Sequence, residues 1–202
     1  PFNEALASVH RPPNVEALTT DTQARRRLAY DEFLASQLTL ALVRKQQKAV
    51  AGRITTGNGE ITRRIAEALP FSLTGGQKAA IADIRTDMAK PERMLRLLQG
   101  DVGSGKTMVA LHALLRAVEA GKQGAMLAPT EILARQHLAS LQASLAGLPV
   151  NVAILTGREK GRVRESVLMG LADGSIDILV GTHAIFQEAV TYKALALAII
   201  DE

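Results

Sequence analysis

The apolar positions of this chain keep two different rhythms, and the change falls near Pro70. Over residues 24–51, Leu28, Leu34, Leu38 and Leu42 share one side while Arg26, Arg27, Arg44, Lys45 and Lys48 lie elsewhere, which predicts a long amphipathic helix. Such a helix either packs on a neighbouring domain or lies as a basic strut along nucleic acid. Residues 1–22, with the proline pair of HRPPNVEALTTDTQ, predict an extended surface connector. Residues 52–60 (GRITTGNGE) predict a flexible loop, and 61–69 a short helix ended by Pro70. Beyond that point short apolar runs alternate with helical ones. Strands are expected at 96–99, 124–128, 150–155, 177–180 and 196–200, and helices at 75–89, 106–120, 131–146 and 161–172. A parallel sheet with crossover helices requires that alternation, so the expected class is α/β, with ligands at the carboxyl ends of the strands.

Composition narrows the setting. With 202 residues, 47% of them hydrophobic, the chain can bury one substantial core and a smaller attached module. Twenty-four Lys and Arg against 20 Asp and Glu leave a formal charge of +4, which permits an anionic partner without demanding one. No cysteine is present, which excludes disulfides and thiolate metal sites, and the four histidines are scattered, which argues against a protein zinc site. No apolar run reaches membrane-span length and no signal-peptide pattern opens the chain, so a soluble, cytoplasmic protein is expected. The start at Pro1 and the end at Glu202, directly after an apolar strand, predict a piece of something longer.

The richest stretch is LLQGDVGSGKTMVALHALL, residues 97–115, which runs from an apolar strand through a glycine turn into an amphipathic helix. A glycine-rich loop lets consecutive backbone N–H groups turn inward onto phosphate oxygens with no Cβ in the way. Gly100, Gly103 and Gly105 supply that freedom around Ser104, and the helix beginning near Lys106 aims its unsatisfied N–H groups at the same anion. In this pattern Lys106 reaches the β and γ phosphates, and the Thr107 hydroxyl takes one position on an octahedral Mg²⁺. The expected ligand is a nucleoside triphosphate.

The remaining candidates sit where the strands end. LALAIIDE places Asp201 and Glu202 at the tip of the last strand, roughly 95 residues after the loop, where Asp201 would hold Mg²⁺ and Glu202 would orient or deprotonate the attacking water. Strands also end in acidic residues simply on entering loops. APTEILARQH (128–137) puts Thr130 at a helix N-cap, where it and Arg135 could take a nucleic-acid phosphate. GTHAIFQ repeats the arrangement with Gly181 and Thr182, and LTGREKGRVR places Arg158, Lys160, Arg162 and Arg164 after the third strand. Aromatic content of 3% without tryptophan leaves little for base stacking, so binding is expected to be through phosphates and salt-sensitive. In LPFSLTGGQKAAI, Gln77 is either a plain helix-start residue or a donor and acceptor matched to the adenine edge, with Phe71 available to stack on the ring.

LPFSLTGGQ, LLQGDVGSGKT, APTEILARQH, LTG, GTHAIFQ and IIDE, in this order and spacing, resemble the superfamily 2 DNA helicases, most closely the RecG type, over residues 69–202. ALASVHRPPN and the long helix after it resemble the connector that precedes that motor. Transcription-repair coupling translocases share part of the set, but Ser104 and the PTEILA string fit the RecG type better. The resemblance implies a helical linker over 1–68 and a first RecA-like lobe over 69–202, truncated after the Asp-Glu motif. It implies that Gln77 recognises adenine, that Lys106 and Thr107 serve the phosphates and Mg²⁺, that Asp201 and Glu202 drive hydrolysis, and that Thr130, Arg135, Gly157, Arg158 and Thr182 contact DNA. It implies also an ATP-dependent translocase on double-stranded DNA that remodels stalled forks and Holliday junctions, working as a monomer, with single-stranded-DNA-binding protein as a possible protein partner. The family's second lobe, with its arginine finger, lies outside this chain, so the chain alone is expected neither to hydrolyse ATP at a useful rate nor to unwind DNA. Two other classes remain: a non-catalytic module that holds DNA or a partner, and another P-loop enzyme such as a small kinase, against which the long interval from loop to Asp-Glu argues.

Overall fold

A computed structural model describes residues 1–49 and 51–201. The chain divides into two compact units, Pro1–Val50 and Ala51–Glu202.

In the first unit the expected connector is in part helical. Helix α1 (Phe2–His10) and a 3₁₀ turn (Val15–Leu18) precede the long helix α2 (Gln23–Ala49), against which α1 packs. The proline pair does not prevent α1, because it follows the C-cap at Arg11, while Glu4 in the first turn and His10 in the last suit the helix dipole. Leu34, Leu38 and Leu42 of the expected stripe are exposed, and so are Tyr30 and Phe33. Arg26 and Arg27 are ion-paired to Asp21 and Asp31.

The second unit is built on a parallel sheet of four strands, β1 (Gln123–Leu127), β2 (Val152–Leu155), β3 (Ile178–Gly181) and β4 (Leu195–Ile200), in the order β2-β3-β1-β4. Helices α3 (Glu60–Ala68), α4 (Gly75–Met88), α5 (Lys106–Glu119), α6 (Glu131–Ser144) and α7 (Gly161–Asp173) surround it. Strand residues alternate between two cores, as the period of two requires. Met126, Ile178, Val180 and Leu197 join Ile65, Ile84, Leu111, Leu114, Leu115 and Leu141 on one side. On the other, Ala125, Leu155 and Leu179 pack with Leu171, Ala184 and Ile185. Half of the residues of α5 are buried, and a Cβ at Gly124 would come within 2.5 Å of Leu114, so β1 and α5 approach as closely as glycine allows.

Two expectations for this unit change. Residues 96–99 do not form a strand; they have no ladder partner among the described residues. Their side chains still alternate, Met94 and Leu98 packing on the core while Leu95 and Leu97 are 78% and 81% exposed. The local pattern is that of a strand, but a strand exists only when a neighbour completes its hydrogen bonds. Arg96 is held by Asp83 and Asp87 of α4. The 52–60 segment is a loop, as expected, yet it is pinned. Glu119 accepts from Gly59 N, Thr62 N and Thr62 Oγ1, Arg116 donates to the Gly57 carbonyl, and Thr55 N donates to Met88 O.

Candidate functional site

The glycine loop ends where α5 begins. Gly105 is the N-cap at φ 80°, Gly103 also has φ 80°, and both lie in the left-handed region that favours glycine. A Cβ at Gly105 would strike Gln77 Nε2, and one at Gly100 would come within 2.6 Å of Ser104 Oγ. Lys106 Nζ donates to the carbonyls of Gly100 at 2.8 Å and Asp101 at 3.1 Å, so its ammonium is folded into the loop it closes. Lys106, Thr107 and Asp201 line one cleft of about 1540 Å³, bounded by residues 94–101 and β4.

Gln77 touches the same loop. Its backbone N–H donates to Thr74 Oγ1 and its Oε1 accepts from Thr74 N at 2.9 Å, a reciprocal capping box that starts α4. Its Nε2 donates to the Ser104 carbonyl at 2.9 Å, which ties α4 to the loop. An amide has two lone pairs and two hydrogens, so one acceptor and one donor position remain after both bonds. Phe71 is 52% exposed ahead of this helix.

Asp201 continues the β1–β4 ladder, its N–H donating to Leu127 O at 2.9 Å. Its Oδ2 lies 2.7 Å from His137 Nε2 on α6. Glu202, expected beside it, lies outside the described residues. His137 is the residue that sequence reasoning passed over, as one of four scattered histidines; the only signal was its place in APTEILARQH, 64 positions before Asp201.

The expected DNA-facing turns do gather on adjacent strand ends, since β2, β3 and β1 are neighbours. Thr130 Oγ1 accepts from Leu133 N, capping α6. Arg135 binds Glu131 and Glu159, both at 2.9 Å, and Arg158 binds Glu131 at 3.0 Å. Burial favours the protonated Glu159, but hydrogen bonds from Thr156 and then Arg135 outweigh it and hold the carboxyl below its ordinary range. These two arginines are therefore ion-paired rather than free, and the two glutamates were not singled out from the sequence. Around Gly157 no atom lies within 4 Å of where a Cβ would sit, so its backbone is open to approach. Thr182 is buried at the N-cap of a 3₁₀ turn (His183–Phe186) and its side chain makes no capping bond. Gly181 before it cannot carry a Cβ without striking Leu155 O and Ile185.

The model of the DEAD/DEAH box helicase family matches residues 74–202. The chain belongs to that family. It is 48% identical to the ATP-dependent DNA helicase RecG of Bacillus subtilis, a match taking in 100% of this chain and 29% of that protein. It is 44% identical to the RecG of Thermotoga maritima over 89% of this chain and 23% of that protein. A solved structure of RecG bound to a three-way DNA junction matches with a TM-score of 0.86 and 42% identity, over 98% of this chain and 27% of that one. The chain thus spans less than a third of the length of these relatives. The RecG-type resemblance and the RecA-like parallel lobe expected from the motifs are both borne out.

The cleft's donor set suits a magnesium nucleotide. Mg²⁺ prefers hard oxygen ligands and is commonly bound through one or two carboxylates together with substrate phosphates. Among the described residues no cluster of three or more His, Asp or Glu could hold a metal alone, whereas Thr107 Oγ1 and the Asp201 carboxylate share the cleft with Lys106.

Proposed function

We propose that this chain is the nucleotide-binding first lobe of an ATP-dependent DNA helicase that works on branched DNA, coupling hydrolysis to movement along the duplex. The observation that carries the reading is the shared cleft of Lys106, Thr107 and Asp201, reached from a glycine loop at the start of α5. The family model and the RecG relatives support it. Stalled forks and Holliday junctions are the substrates we favour, with single-stranded-DNA-binding protein as a protein partner, a monomeric state and a cytoplasmic setting.

In this reading the loop N–H groups and the first turn of α5 receive the phosphates, and the Lys106 ammonium leaves the Gly100 and Asp101 carbonyls for the β and γ oxygens. Thr107 and Asp201 would hold Mg²⁺, and the chemistry it would supply there is neutralisation of charge on the phosphoryl oxygens. Glu202 takes the role of orienting or deprotonating the attacking water. Gln77 presents its remaining donor and acceptor to adenine, and Phe71 offers a ring to stack on it. On the DNA side the Thr130 cap, the open backbone at Gly157 and the Thr182 turn meet phosphates. Arg135 and Arg158 contribute only by exchanging Glu131 and Glu159 for the DNA backbone, which makes their share strongly salt-dependent.

A titration of this chain with a fluorescent ATP analogue and Mg²⁺, beside Lys106→Ala in the same salt, tests the nucleotide site. Removing a charged hydrogen bond of about 1.5–3 kcal/mol should weaken binding on the order of 10- to 100-fold. Equal binding by both proteins would remove Lys106 from the site. We expect no useful hydrolysis from the chain alone, and an appreciable Lys106-dependent turnover by it would overturn that. Unwinding of a branched duplex by the full-length helicase, lost in Lys106→Ala, tests the substrate.

A further inference from the structure

His137 does work that neither the motif set nor the family match assigns to it. It lies on α6, the helix that Thr130 caps and that carries Arg135 two positions earlier, so one rigid element joins the expected DNA edge to the interior. Its side chain is 12% exposed, and its Nε2 is 2.7 Å from Asp201 Oδ2. A carboxylate can only accept, so Nε2 donates the hydrogen, and one of the two Asp201 oxygens is thereby fixed. The Asp201 backbone is fixed as well, by its bond to Leu127 O in the sheet. With main chain and Oδ2 both held, the carboxylate has one orientation, and Oδ1 is the oxygen that the histidine leaves free on a residue lining the same cleft as Lys106 and Thr107.

We propose that His137 is a positioning residue that orients the Asp201 carboxylate for Mg²⁺ and carries displacement of α6 by DNA to that carboxylate. This rests on the reading of Asp201 as the metal-holding residue given above. Partners that orient a metal-binding group typically matter about 10- to 100-fold for metal affinity or activity when removed. A shift of α6 by a few tenths of an ångström, driven from its N-terminus by a phosphate, would lengthen or straighten the hydrogen bond and so retune the oxygen opposite. DNA would reach the nucleotide site through a single side chain.

The test uses the full-length helicase with Mn²⁺ as a spectroscopic stand-in for Mg²⁺. Its affinity for the nucleotide-loaded protein is read by electron paramagnetic resonance, with and without branched DNA. DNA-stimulated ATPase and melting temperature are measured in parallel. His137→Ala should weaken Mn²⁺ about tenfold and lose most of the difference that DNA makes. His137→Gln, whose amide N–H reaches a similar distance, should restore the affinity to within about threefold of the native protein. Retention of native Mn²⁺ affinity and DNA response by His137→Ala would overturn the proposal. So would failure of His137→Gln to restore either property while it melts like the native protein. Asp201→Asn separates this proposal from the one beneath it. If Asp201→Asn leaves Mn²⁺ binding unchanged, the metal role of Asp201 fails; if it abolishes binding while His137→Ala does not, only the positioning role fails.

Discussion

Replacing Gln77 distinguishes its two roles, because its side chain makes two bonds of different kinds. In Gln77→Ala the acceptor for Thr74 N and the donor to Ser104 O are both lost, while the bond from Gln77 N to Thr74 Oγ1 survives. Each lost bond is worth about 0.5–1.5 kcal/mol net, and partial exposure puts both toward the low end, giving about 1–2 kcal/mol together. For a unit of this size that is a fall of roughly 2–8 °C in melting temperature. Gln77→Glu keeps an acceptor for Thr74 N, and a negative charge suits a helix N-terminus, so about half of that loss is expected. Nucleotide binding should respond differently. A glutamate at neutral pH has no hydrogen to give either Ser104 O or adenine N7, so both variants should lose about tenfold in ATP affinity; N7 is common to adenine and guanine, so the preference for ATP over GTP rests on the acceptor for adenine N6–H and should be lost only in Gln77→Ala. The assay is a melting curve for each protein beside competition of ATP and GTP against a fluorescent analogue. If melting temperatures fall as worked out but the ATP-to-GTP ratio stays native in Gln77→Ala, Gln77 only starts a helix and tethers a loop. The adenine assignment would then be wrong.

Three further outcomes follow from the packing and the ion pairs. Leu114 is fully buried between α5 and β1, so Leu114→Ala should cost about 2–5 kcal/mol in a urea titration; a loss under about 1 kcal/mol would mean that the α5–β1 contact is not central to stability. Asp87 is held below the ordinary carboxylate range by hydrogen bonds from Lys90 and then Arg96. Its folded pKa is thus lower than its unfolded one, so its stabilisation is complete above about pH 4 and is lost as pH falls through the folded value. Between pH 5 and 2, stability should fall less steeply in Asp87→Asn than in the native chain, and identical slopes would contradict the pairing. DNA binding by the full-length helicase should lose affinity steeply with added salt, and Glu131→Gln, which frees Arg135 and Arg158 in part, should raise affinity at low salt; no change would place those arginines off the DNA.

Local chemistry along the chain was enough for most of the architecture and for the phosphate loop. The periods of two and 3.6 placed α4 to α7 and β1 to β4 to within a few residues, because those rhythms are set by which face meets a core and not by which core it is. The loop glycines were legible for the same reason, since positive φ at Gly103 and Gly105 is a property of one residue and its neighbours. Tertiary structure decided whatever needed a partner distant in sequence. Residues 96–99 have a strand's alternation but no neighbour to pair with, and 1–22 hold a helix that two prolines, read in isolation, argued against. Arg135 and Arg158 read as free cations until the fold brought Glu131 and Glu159 beside them. His137 acquired its carboxylate only when α6, packed on β2 and β3, brought it within 2.7 Å of Asp201 at the end of β4. Periodicity records the direction in which a side chain points, and only the packed chain decides what is there to meet it.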